Sequence, residues 1–174
     1  MGKKQKHKIN WIYMVLILLI VICIGIIITL LIKNQQILTP DFAPGTIDTN
    51  AIKEEETGDK MNASNGGGAV SLSYSNIASI NTEKKEIKMY FKNPSKSRES
   101  IVLEIIVKQK NEEYILAKSD LLPPGYALYN MELDTNTKLP AGGYKGIYRV
   151  TYYDEETGAK QIVNTEIEIS IEVS

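Results

Sequence analysis

The stretch "LPAGGYKGIYRVTYYD", Leu139–Asp154, decides the fold. From Tyr144 onward Tyr144, Gly146, Tyr148, Val150 and Tyr152 fall on alternate positions. A period of two predicts a β-strand with one face toward a core. Three glycines lie within five residues just before and inside it. A phosphate-binding loop needs a helix to start after its glycines, and here a strand follows. Leu139, Pro140, Gly142, Gly143 and Tyr144 therefore read as a structural corner that feeds a strand.

The same period runs outward from this corner. "TEIEISIEV" (165–173) sets Ile167, Ile169, Ile171 and Val173 against Glu166, Glu168, Ser170 and Glu172. One buried and one wet face explain that pattern. "EIKMYFK" (86–92), "SIVLEIIVK" (100–108), "EYILAK" (113–118) and "YALYNMELD" (126–134) read as further strands. "VSLSYSNIASI" (70–80) reads as the first. Turn signals separate them: "NPSKS", "LLPPGY", "LPAGG" and "DEETG". About seven strands and no 3.6-residue period after residue 70 predict an all-β, antiparallel β-sandwich over 70–174.

The first 69 residues have a different character. Residues 1–10 carry four lysines and no acid, and residues 11–32 carry no charge. A helix of that apolar run reaches roughly 33 Å, enough for a hydrocarbon core of about 30 Å. Trp11 and Tyr13 sit where an interfacial aromatic belt lies. The expectation is a cytoplasmic basic tail (1–10), a single transmembrane helix (11–32) and an extracytoplasmic C-terminal domain. The run is too long for a cleavable signal peptide and lacks a small-x-small site after it. Cys23 lies inside the run, so the outer domain holds no cysteine to crosslink. Residues 33–69, with Pro40, Pro44, "KEEETGDK" and "NASNGGG", are sparse in apolar side chains and predict a flexible, disordered stalk.

The segment "LPAGGYKGIYRV" resembles the signature that leads into strand F of bacterial immunoglobulin-like and fibronectin type III-like modules. The resemblance covers residues 70–174 and implies an Ig-like sandwich. It further implies that the Tyr144 hydroxyl bonds a backbone group a few residues upstream. An inter-sheet cysteine pair and a core tryptophan are absent here, so the antibody-type subclass does not fit. The first five residues also resemble the LPXTG sorting signal that sortases cut. Gly142 stands at the threonine position, and 31 strand-like residues follow instead of an apolar segment and a basic tail. The arrangement of anchor, stalk and module resembles envelope proteins of low-GC Gram-positive bacteria.

Chemistry is sparse outside the membrane. The only histidine is His7, in the basic tail. That removes Ser-His-Asp, Cys-His and Cys/His zinc arrangements from the outer domain. The carboxylates fall on turns or wet strand faces, so no enzyme, cofactor or metal site is expected. "DTNTK" (134–138) and "DEET" (154–157) read as polar turns rather than calcium loops. A net charge of −1 gives no reason to expect nucleic acid. Lys92, Lys96 and Arg98 converge on one loop, and Tyr90 and Tyr153 fall out of phase with their apolar neighbours. These five form the expected exposed interaction surface. The expected function is a non-enzymatic, membrane-anchored adapter or structural module that contacts another envelope, secretion or surface protein. The alternative is direct binding of a wall polymer or glycan through the same residues.

Overall fold

The computed structural model describes residues 11, 13–25, 42–54, 59–62, 70–109, 112–134 and 139–174. The chain divides into two compact units, Met1–Thr39 and Pro40–Ser174. In the first, residues 13–25 are helical. Their large apolar side chains are exposed all round, from 39% for Val15 to 70% for Met14. Among the described residues, no helix is long and apolar enough to cross a membrane. The basic tail (1–10), Ile12 and residues 26–32 of the expected span lie outside the described residues.

The second unit is all-β. Its strands are β1 (Ala51–Lys53), β2 (Ser73–Tyr74), β3 (Ile77–Asn81), β4 (Glu86–Asn93) and β5 (Glu99–Gln109). They continue as β6 (Glu112–Lys118), β7 (Tyr126–Glu132), β8 (Gly142–Asp154) and β9 (Lys160–Val173). Nine described strands thus replace the seven expected. The stretch 70–80 is split between β2 and β3, and β1 comes from the segment expected to be stalk.

The strands form one curled sheet in the order β1-β7-β4-β3-β9-β8-β5-β6, with β2 alongside β4. All pairings are antiparallel except β3 with β9. The parallel pair joins the β1-β7-β4-β3 half of the sheet to the β9-β8-β5-β6 half. The two halves then face each other, and their inward side chains form a single core. The Phe91 ring of β4 meets the Tyr148 ring of β8 edge-on, centroids 5.3 Å apart, across the interior. Edge-to-face packing of this kind adds about 1 kcal/mol to the area buried.

The period of two is visible in the burial. Ile169, Ile171 and Val173 are buried, while Glu168, Ser170 and Glu172 are exposed. Gly146 interrupts the inward row of β8 for a steric reason. A Cβ there would stand 2.3 Å from Ile171 Cδ1 and 2.9 Å from the Ile106 carbonyl oxygen. The β8–β9 hairpin closes through Gly158, at φ +68°. Its N–H donates to the Asp154 carbonyl at 2.9 Å. The positive φ suits glycine, which carries no Cβ.

The stalk expectation is corrected over its described residues. Phe42 bridges Ala159, and Ile47 bridges Leu121. β1 then pairs with Tyr126–Leu128 of β7. Glu54 N–H donates to Gly125 O at 2.8 Å, and Met61 N–H to Lys96 O at 2.8 Å. Residues 42–54 and 59–62 form a belt around one end of the sheet. Composition misleads here because the belt docks through backbone hydrogen bonds, which few apolar side chains are needed to make.

Candidate functional site

The belt and the expected interaction surface meet at Glu54. Lys92 lies on the outward side of β4, but its side chain is only 8% exposed. A buried ammonium needs a compensating charge. Glu54 supplies it, Nζ to Oε2 at 2.5 Å. The other oxygen of that carboxylate accepts the Tyr129 hydroxyl. That hydrogen bond raises the Tyr129 phenol above its ordinary pKa, with smaller contributions from burial and the Glu54 charge. Tyr129 in turn lies against Tyr90, ring centroids 5.4 Å apart. Lys92, Tyr90, Tyr129 and Glu54 thus form one clamp, with Tyr129 at its exposed rim and Ile52 exposed beside it.

Two of the five expected surface residues are not on the surface. Lys92 is buried by the clamp. Tyr153 is fully buried. It sits in register between Ser100 and Lys160, next to the Ala159 position where Phe42 of the belt pairs. A bulge between Thr151 and Tyr153 shifts the pairing of β8 with β9 at this point. Tyr90 is half-buried, and Lys96 and Arg98 are exposed. Arg98 Nε donates to the Met61 carbonyl at 2.5 Å. Lys60 donates to Ser97 O at 3.0 Å and pairs with Glu155 at 2.9 Å. The basic loop is therefore strapped to the belt, with Lys96 and Arg98 both exposed.

The corner is built on backbone and ring packing. Tyr144 Oη donates to the Pro140 carbonyl at 2.8 Å. Its half-buried ring and Leu139 pack on the core edge. Gly142 and Gly143 open β8 opposite Val173 and Glu172.

A second charged array went unread in the sequence. On the outer face of β6-β5-β8-β9, Lys118, Glu104, Arg149 and Glu166 stand in one cross-strand row. Arg149 reaches Glu113 at 2.7 Å and Glu166 at 2.8 Å, and Lys118 reaches Glu104 at 3.0 Å. The Arg149 hydrogen bond holds the Glu113 carboxyl below its ordinary value. Pairing order was not available from sequence.

The acidic turn at 154–157 is a structural cap. Asp154 Oδ1 accepts Glu156 N–H at 3.1 Å, Thr157 N–H at 2.7 Å and the Thr157 hydroxyl at 2.8 Å. Those bonds depress the Asp154 carboxyl, the Thr157 backbone first. Glu99 behaves oppositely. Burial, then the Asp154 charge, push its carboxyl up, and Gln161 Nε2 at 3.3 Å partly offsets this. Among the described residues, no group of three or more His, Cys, Asp or Glu could hold a metal ion. Residues 135–138 of the "DTNTK" turn lie outside the described residues.

The geometry defines an all-β domain with a clamped belt. No protein-family description matches the chain. No curated protein matches it. Among solved structures it is similar to AggA, the major subunit of aggregative adherence fimbriae type I from Escherichia coli. That similarity has a TM-score of 0.34 and 12% identity, over 68% of this chain and 100% of that one.

Proposed function

We propose that this chain is a membrane-anchored display module that carries an Ig-like sandwich outside the membrane and acts by contact rather than catalysis. One observation carries the reading. The described helical residues of the first unit carry large apolar side chains that are all exposed, from 39% to 70%. A helix that is hydrophobic all round needs an apolar medium. In the sequence the same uncharged run continues to Ile32, which makes it long enough to span.

The strand order supports the Ig-like assignment. β3-β4-β7 and β9-β8-β5 follow the A-B-E and G-F-C sequences of such sandwiches. β1 takes the edge position beside strand E that strand D holds in them. The Tyr144–Pro140 bond lies at the start of the strand F equivalent, where a tyrosine corner belongs. The polymer-binding alternative is weakened, because Lys92 and Tyr153 are buried.

Protease added to intact cells stripped of wall tests the topology. Release of a fragment that contains residues 70–174 is the expected result. Full protection of that fragment, with cleavage only after the membrane is permeabilised, would refute the orientation. Capture from the native membrane through a C-terminal tag then identifies the contacted protein.

A further inference from the structure

The belt shortens the tether between the apolar run and the sheet. Phe42 already bridges Ala159, and Ala43 N–H donates to Gly158 O at 2.8 Å. Only residues 33–41 then separate Ile32, the last of the apolar run, from the sheet, where the stalk expectation counted 33–69. Ten peptide steps reach at most about 36 Å. Covalent length alone keeps Phe42 within that distance of Ile32.

The sheet carries an unusual feature beside this entry point. Lys160 pairs with Tyr153 and Asn164 with Thr151, so Gln161, Ile162 and Val163 of β9 stand opposite Tyr152 alone. A bulge re-aims the side chains it carries. Here Ile162 is 100% exposed and Val163 68% exposed. Ile162 lies three residues from Ala159, about 10 Å along the strand, and Phe42 at the Ala159 bridge is 66% exposed. Three large apolar side chains thus gather where the belt begins.

The charges nearby are engaged or offset. Glu155 pairs with Lys60, and Asp154 Oδ1 caps its own turn. Both oxygens of Asp48 accept backbone N–H groups, from Asn50 and Asp120. Glu156 and Lys160 make no side-chain ion pair among the described residues and carry opposite signs. The patch therefore selects by apolar area and not by charge. Apolar side chains gain by leaving water, and a bilayer is the apolar phase that the short tether puts within reach.

We infer that Phe42, Ile162 and Val163 form a lipid-contacting tip that rests this end of the sheet domain on the outer leaflet. The tip enters the boundary between headgroups and acyl chains. This surface rests on the display reading, since it needs the apolar run in a membrane.

The full chain in phosphatidylcholine nanodiscs tests it, with nitroxide-bearing acyl chains as the quencher. In a Cys23→Ser background, a nitrobenzoxadiazole label is placed at Ile162→Cys or at Lys84→Cys. Thr82 N–H donates to Ser174 O, so the turn holding Lys84 lies at the far end of β9, roughly 40 Å from Ile162 along the strand. The label at 162 should be blue-shifted and quenched several times more than the label at 84. Adding Phe42→Ser with Val163→Ser should abolish most of that difference. Equal quenching at the two positions would overturn the inference. So would a blue shift at 162 without quenching, which marks a protein contact, or quenching that survives the double serine change, which marks insertion by the label itself. A label on the native Cys23 separates the two readings. Quenching at Cys23 but not at 162 removes only the tip, whereas no quenching at Cys23 removes the display reading and the tip with it.

Discussion

Lys92 and Glu54 are 38 residues apart in the chain and 2.5 Å apart in space. One belongs to the core-lining strand β4 and the other directly follows the short strand β1. Their pairing fastens the belt to the sheet. Glu54→Ala should leave the Lys92 ammonium buried without its carboxylate and should cost about 3 kcal/mol. Urea titration of the full chain in micelles measures the loss. Hydrogen exchange of residues 51–54 should accelerate in the same variant. A belt that still exchanges slowly would show that β1 docks without the clamp.

The Tyr148 hydroxyl is buried and has no hydrogen-bond partner among the described residues. Burial alone pushes its phenol up to about 12. Tyr148→Phe keeps the ring against Phe91 and removes the orphaned group. It should stabilise the domain by about 1 kcal/mol. The folded pKa is raised, so the native contribution is intact below the ordinary value of about 10. It is lost as pH rises through about 12. Ultraviolet titration should show one phenol that ionises only when the domain unfolds at high pH.

Tyr144 offers the contrasting case. Its hydroxyl has a partner in Pro140 O, but the bond is solvent-exposed. Tyr144→Phe should therefore cost only about 0.5 kcal/mol. Tyr144→Ala also removes the ring from the core edge and should cost at least about 2 kcal/mol. A thermal melt in which the two variants coincide would show that the ring contributes nothing to the corner.

Glu99 should make stability fall as pH rises through the mildly acidic range. Its folded pKa lies above the ordinary value of about 4.5, chiefly through burial and then the Asp154 charge. The native state therefore holds the proton more tightly than the unfolded chain. That contribution is complete below about 4.5 and fades as pH passes the raised folded value. Glu99→Gln should flatten this part of the profile and raise stability at neutral pH. Urea midpoints across pH 4 to 8, on the order of one point per unit, would reveal the change in slope.

Much of β8 and β9 was legible beforehand, because a strand's period of two is a local property. The row Ile169, Ile171, Val173 and the ring row Tyr144, Tyr148, Tyr152 are written into spacing alone. The corner at Leu139–Tyr144 was legible for the same reason. Residues four apart close the Tyr144–Pro140 bond without help from the rest of the chain. Tyr153 was misread because phase assigns a face but not what covers it. Its face is outward, and the end of the sheet where it lies carries the belt.

The sequence by itself determined the class of structure: an apolar run, a polar connector, and alternating strands separated by turns. Periodicity and charge density act between near neighbours, so they survive in one dimension. Only the tertiary structure decided which charges are buried and which apolar side chains are left outside. Glu54 in "KEEE" looked solvated until it met Lys92, and nothing in "KQIVN" marks Ile162 as fully exposed. Such pairings depend on which distant segments the curled sheet brings together, and residue spacing does not encode that.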